Sequence, residues 1–349
     1  LNKLSEWMQH QMMHNYILKN ENAVYFECGY SCDNEIFIKF GQRGFFITDS
    51  RYAIEARAVA QNCEVIESKD IIKDARLLLR RFGIKELMFN PSDFSYFEFS
   101  QLSRDLHINF KAKNEFSKLK RQIKRSDEIE ILRYAAQLGA SKFDELARAI
   151  MAGMSEKLIN FNAGNILRDG GNLGLSFDPI TAINANAAKA HALPLDECIK
   201  DSDLLLVDAG VKYHRYCSDR TRTVEFRDGF SFSKEQKFTN SKQNEIYQIV
   251  KEAQNLAIKA VKPGVRACDI DAAAREFIAK SGYGDKFFHS TGHGVGLDIH
   301  EFPIISPRNS SPVEVGMVFS IEPGIYLENE FGIRIEDVVV VTNDGCEVL

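Results

Sequence analysis

The chain has 349 residues, 44% of them hydrophobic and 27% charged, with a net charge of -5 at pH 7. Such a length allows one or two domains, each able to bury a core, and the acidic balance argues against a nucleic-acid partner, which usually leaves a basic stripe. No run approaches the roughly 18 consecutive apolar residues of a membrane span, so no membrane contact is expected. The polar, Met-rich stretch from Leu1 to Asn20 lacks the apolar centre and cleavage site of a signal peptide.

In chain order, Glu35–Phe40 and Gly44–Thr48 read as two strands joined at Gly41-Gln42-Arg43, a hairpin signal. A helix is expected over Arg51–Ala60, a strand over Cys63–Ile66, a helix over Asp70–Phe82 ending at Gly83, and a strand over Glu86–Phe89. This alternation predicts a small α/β domain over residues 1–122. The basic stretch Lys111 to Arg125, with Lys118, Lys120, Arg121, Lys124 and Arg125, reads as a solvated linker, and the boundary is placed near residue 122. The seven cysteines (Cys28, Cys32, Cys63, Cys198, Cys217, Cys268 and Cys346) are odd in number and scattered. Cys28 and Cys32 have no second Cys/His pair at zinc spacing, so free thiols in a reducing cytoplasm are expected.

Residues 123–349 read as a second domain built by internal duplication. A long helix begins at Ser126, an N-cap type followed by Asp127 and Glu128, with Ile129, Leu132, Ala136, Phe143, Leu146 and Ile150 on its buried face. A second long helix runs over Asn244–Val261 and stops at Pro263-Gly264. Each half then carries a His-x-x-Pro, His191 to Pro194 and His300 to Pro303. Each continues with an apolar strand ending in a carboxylate and a glycine two residues on, Leu204 to Gly210 and Met317 to Gly324. A further strand adds a second carboxylate to each half, Asp219 or Glu336.

Carboxylates inside apolar strands are costly to bury without a counter-charge. Asp208, Asp219, Glu322 and Glu336 bring four negative charges, which two divalent cations would neutralise. An imidazole in the set shifts preference from Mg²⁺ towards Mn²⁺, Co²⁺, Fe²⁺ or Zn²⁺. The imidazole candidate is His293, flanked by Gly292 and Gly294, which let the backbone pass close to a metal. Three glycines in five residues oppose a helix there, and Gly292-x-Gly294-x-Gly296 has the wrong spacing for a dinucleotide fingerprint.

Val207 to Gly210, Ser218 to Thr223, His289 to Glu301, Ser320 to Gly324 and Gly332 to Asp337 together resemble the ordered motifs of the pita-bread metallopeptidases, nearest the Xaa-Pro aminopeptidase and Xaa-Pro dipeptidase (prolidase) branch. Tyr25 to Gly29 and Ile47 to Tyr52 resemble that branch's creatinase-type N-terminal domain more weakly. The resemblance implies a curved antiparallel sheet with helices outside. It also implies two divalent ions, with Mn²⁺ preferred. Asp208 would bind one ion and His293 with Glu322 the other, while Asp219 and Glu336 bridge both. Glu322 would act as base, and His191, His289 and His300 match histidines that contact substrate and the reacting carbonyl. Arg334 would buttress the carboxylates or receive substrate.

The implied activity is cleavage between an N-terminal residue and a following proline by an aminopeptidase, with a dipeptidase as the alternative and a non-catalytic binding module as the reading of another class. A homodimer is implied as well. Arg220, where the family often has an aliphatic residue, and a long loop over Arg227–Gln243 depart from the pattern and are expected to affect the substrate mouth.

Overall fold

The computed structural model describes residues 15–349. The leader reading over Leu1 to Asn20 falls largely outside them. Among the described residues no helix is long and apolar enough to cross a membrane, and all seven cysteines are free. The chain divides into two compact units, meeting between Arg121 and Gln122.

The first unit is a six-stranded mixed sheet in the spatial order Cys63–Glu67, Arg43–Thr48, Glu35–Phe40, Tyr16–Leu18, Glu86–Phe89, Asn109–Ala112. The expected hairpin is antiparallel, with Phe37 opposite Phe46. Asp70 caps the helix Ile71–Phe82 by accepting from Lys73 N, and Gly83 closes it in the left-handed conformation. The basic stretch is not the solvated linker that its composition suggested. It takes in the end of the strand Asn109–Ala112 and the whole helix Phe116–Lys120. Lys120 pairs with Glu27, and Arg121 and Lys124 are buried. The apolar residues between the cations, Phe116 above all, carry the segment inward.

In the second unit the two halves repeat one order, a pair of helices followed by antiparallel strands. The first pair is Ser126–Ala149 and Glu156–Leu167; the second is Ser241–Ala260 and Ala267–Lys280. Leu132, Ala135, Phe143 and Leu146 line the inner face of the first helix, so Ala135 rather than Ala136 points inward. Arg125, not Ser126, holds the cap position, and Glu128 reaches back to accept from its backbone N–H. Asn240 caps the third helix through Lys242 N and Gln243 N. Its stripe of Ile246, Val250, Ala253 and Ala257 packs with Phe319, Ile321 and Val339 in one apolar core.

The curved antiparallel sheets lie inside these helices. In the first half Leu204–Ala209 sits between Ile180–Ile183 and Arg220–Glu225, with Asp208 opposite both Ile180 and Thr221. In the second, Val318–Ile321 lies between Gly292–Gly294 and Asp337–Val341. The Asp208 strand is buried along all six residues, which is why it reads as a continuous apolar run rather than an alternating one.

Close backbone passages set the glycines. A Cβ on Gly210 would collide with the Ser218 carbonyl and lie 2.9 Å from Ser176 Oγ. Gly210→Ala should therefore cost on the order of 3 kcal/mol, read as a lower urea midpoint at unchanged slope. A wild-type midpoint would show that the Asp208 and Asp219 segments do not pass so closely.

Candidate metal centre

Three of the four carboxylates stand where a strand breaks. Asp219 lies between Tyr216–Cys217 and Arg220–Glu225, Glu322 between Val318–Ile321 and Gly324–Leu327, and Glu336 between Phe331–Arg334 and Asp337–Val341. Asp208 alone sits within its strand. A break turns the side chain away from the ladder while the flanking pairs stay in register. The four are brought to one cavity of about 460 Å³ with His191, His289, His293, His300 and Arg334, so every site residue singled out in the sequence lines it. Phe177, Ile180, Ile299 and Ile304 form its apolar walls, and the sequence reading had not named them.

The glycines around His293 are required by the neighbouring strands as well. A Cβ on Gly292 would strike the Ser320 carbonyl, and one on Gly294 the Phe302 carbonyl. They let neighbouring strands close on His293, and the segment Gly292–Gly294 is a strand, not a helix.

His293 Nδ1 lies 3.1 Å from the Gly294 carbonyl, and burial holds its pKa below the ordinary value. The neutral ring therefore donates from Nδ1 and keeps its lone pair on Nε2. That lone pair faces Glu322 Oε1 at 3.3 Å and Asp219 Oδ2 at 3.6 Å. Three electron-rich atoms facing one another repel unless a cation lies among them. Ligand atoms of Asp219, His293 and Glu336 all lie within 4.8 Å of one another, and Asp208 Oδ1 is buried with no hydrogen-bond partner. Burial first, and the neighbouring carboxylates second, push the proton affinities of Asp219 and Glu336 well above the carboxylate range. Burial raises Glu322 to about 7, with Arg334 opposing the rise. These residues fit divalent cations: an oxygen-rich set with one nitrogen, a lone pair already aimed, and an acceptor left unserved.

Arg334 organises the opposite wall. Its Nη2 donates to Asp208 Oδ2 at 2.7 Å, Nη1 to Tyr326 Oη at 2.8 Å, and Nε to Thr221 Oγ1 at 3.1 Å. Thr221 Oγ1 in turn donates to Glu336 Oε2 at 2.7 Å. One guanidinium thus fixes carboxylates from both halves. Tyr326 continues the chain to His289 Nε2 at 2.8 Å, and His289 Nδ1 reaches the Ser290 carbonyl at 2.8 Å. Both His289 nitrogens are engaged within the protein. Tyr326 was missed in the sequence. Its signal was the pair Gly324 and Gly332, where any Cβ would strike the Tyr326 ring.

Behind the site, Arg222 holds the Glu336 carbonyl and donates to Asp337 Oδ1 at 2.6 Å. Lys234, from the long loop, pairs with the same carboxylate, and Arg220 Nη1 lies 3.9 Å from it. Burial alone would raise the Asp337 pKa, but Arg222 and Lys234 outweigh it and hold the group below its ordinary value. Arg220 and the loop therefore meet at Asp337 and do not line the cavity, contrary to the expected effect on its mouth.

Comparisons with known proteins bear on this constellation. Metallopeptidase family M24 matches residues 130–343. The uncharacterized peptidase YqhT of Bacillus subtilis is 34% identical over 331 residues, covering 94% of this chain and 91% of its own. A solved Xaa-Pro dipeptidase from Bacillus anthracis is 32% identical with a TM-score of 0.90, covering 99% of this chain and 95% of that one. The X-Pro aminopeptidase of Thermotoga maritima is 33% identical with a TM-score of 0.86, covering 99% and 97%.

Burial first, and the Arg334 charge next, lower His289 from its ordinary 6.5 to about 4. An unfolded chain then binds the extra proton between those values, so the neutral ring contributes stability that is fully present above about 6.5 and lost as pH falls through about 4. In a ¹⁵N titration of the metal-free protein, His289 should stay neutral to about pH 4. A midpoint near 6.5 would contradict its burial between Tyr326 and Ser290.

Proposed function

The chain belongs to metallopeptidase family M24, and from that premise we propose that it is an Xaa-Pro dipeptidase carrying two divalent ions. Family membership already makes it a peptidase dependent on divalent metal and acting on peptides. The carrying observation for the finer reading is the cavity. Its polar end collects four carboxylates and four imidazoles, its other walls are Phe177, Ile180, Ile299 and Ile304, and its volume of about 460 Å³ suits a ligand of dipeptide size. The sequence alone pointed first to an aminopeptidase, with the dipeptidase as alternative. The higher TM-score of the Xaa-Pro dipeptidase, and the compact apolar end, support the alternative better.

In this reading Asp208 would hold one ion and His293 with Glu322 the other, while Asp219 and Glu336 would serve both. The single nitrogen makes the positions unlike, and the mixed donor set favours Mn²⁺, with Co²⁺, Zn²⁺ or Fe²⁺ as substitutes. When bound, the ions supply Lewis acidity, lowering the pKa of water and polarising the scissile carbonyl.

The chain's own groups do the rest. Glu322, which lines the cavity, takes a proton from the attacking water and delivers it to the leaving proline nitrogen. His191 and His300 donate to the carbonyl oxygen or to the carboxylate of the proline, and His289 holds Tyr326 and the cavity wall. Arg334, engaged by Asp208, Tyr326 and Thr221, keeps Asp208 aimed. An X-Pro bond has no N–H, so the apolar walls leave no substrate donor unserved. The first unit, over residues 1–122, is taken as the creatinase-type domain and 123–349 as the catalytic one. The protein is taken to work as a cytoplasmic homodimer.

Two measurements test this. With Mn²⁺, an Xaa-Pro dipeptide should be cleaved with kcat/KM at least about tenfold above an Xaa-Pro-Xaa tripeptide, a closed site leaving the longer chain no room. Equal or faster tripeptide cleavage would restore the aminopeptidase. Glu336→Ala should lose bound metal and roughly 10³-fold or more of turnover. A variant that kept both would remove Glu336 from the metal set.

A further inference from the structure

We infer that the buried ion pair Lys124–Glu301 positions His300 for the reaction, an inference that rests on the peptidase reading for the role of His300. Lys124 Nζ and Glu301 Oε2 are 2.7 Å apart, with side chains 1% and 0% exposed. Neither residue lines the cavity. A fully buried pair has a high desolvation cost, and replacing it with apolar side chains is often neutral or stabilising. Its presence calls for a reason other than stability.

The surroundings supply one. Glu301 directly follows His300, which lines the cavity and sets its ring edge-on to His293, centroids 4.4 Å apart. The Glu301 carboxylate folds back beneath the turn leading to His300. Oε1 accepts from Asp298 N at 3.1 Å. The carboxylate also lies so close to Gly296 that a Cβ there would meet Oε2 at 2.5 Å and Oε1 at 2.9 Å. The turn is held from its other side by Cys217 N donating to the Gly296 carbonyl at 2.8 Å. Lys124 is itself anchored, its N–H donating to the Gly316 carbonyl at 2.8 Å, beside the isolated bridge between Ile123 and Met317. Met317 leads straight into the strand Val318–Ile321 that ends at Glu322. The pair therefore ties the turn carrying His300 to the strand delivering Glu322, and fixes the spacing between the imidazole and the carboxylate. Lys124 and Glu301 are positioning residues that act through His300.

Removing one partner breaks a fully buried ion pair and tests mainly folding, so the informative variant is Lys124→Met with Glu301→Leu. It should remain folded and keep its bound metal. Its kcat should fall roughly 10- to 100-fold, as expected for a misplaced group, with KM within about threefold. Combined with His300→Ala, the pair change should lower kcat/KM no further, because both lesions remove one function. In ¹⁵N-histidine spectra the His300 signals should shift or broaden, while those of His214 stay in place. If the Leu variant does not fold, Lys124→Met with Glu301→Gln keeps an acceptor for Asp298 N–H and gives the same readouts at smaller amplitude. Wild-type kcat with unmoved His300 signals in either folded variant would overturn the inference, as would effects that multiply with His300→Ala. Absence of Xaa-Pro hydrolysis by the unaltered protein would instead remove the proposed function, and the His300 spectra would still decide the positioning role.

Discussion

Four carboxylates packed around one neutral imidazole in a buried cavity form the interaction on which the rest of the second unit depends. The carboxylates repel one another, and burial raises the cost of each charge. The lone pair of His293 Nε2 adds to the repulsion, because Nδ1 is committed to Gly294. An arrangement of this kind is poised for cations and is strained without them. The protein balances part of the charge itself through Arg334, whose three donor positions reach Asp208, Tyr326 and Thr221.

Holding such a set requires rigidity on both sides of the sheet. On the cavity side, hydroxyls act as short relays: Thr221 between Arg334 and Glu336, Tyr326 between Arg334 and His289, and Ser320 between His293 N and Glu322. On the far side, Asp337 gathers Arg222, Lys234 and Gln254, so the residue after Glu336 is pinned as firmly as Glu336 itself. Asp271 and Arg275 brace the next segment, with Arg275 reaching the Phe287 and His289 carbonyls and Asp271 accepting from Thr291. The helices provide the apolar mass against which these polar layers are fixed.

Much of the site was legible because its chemistry contradicts its surroundings. A carboxylate closing an apolar run, as in Leu204 to Asp208, announces a compensated charge, and the repeat of that pattern in both halves turned single anomalies into a set. The hairpin, the capped helices and the two long amphipathic helices were legible because turn and cap chemistry is local. The burial of Arg121 and Lys124 was not, because composition averages over a segment while burial is decided atom by atom. Tyr326 stayed hidden because its importance lies in two hydrogen bonds, to His289 and Arg334, that only the folded chain brings to its hydroxyl.

By itself the sequence determined the elements, the duplicated order and the residue types able to hold metal, since these follow from local periodicity and from the cost of burying charge. Only the tertiary structure decided which atoms face one another. It showed that the glycines beside His293 serve strand passage, that Arg220 and the long loop act through Asp337 behind the site, and that Lys124 reaches Glu301 across 177 positions in the chain. Distance along the chain carries no information about such contacts; folding brings them together because a buried charge must find its partner wherever the fold places it.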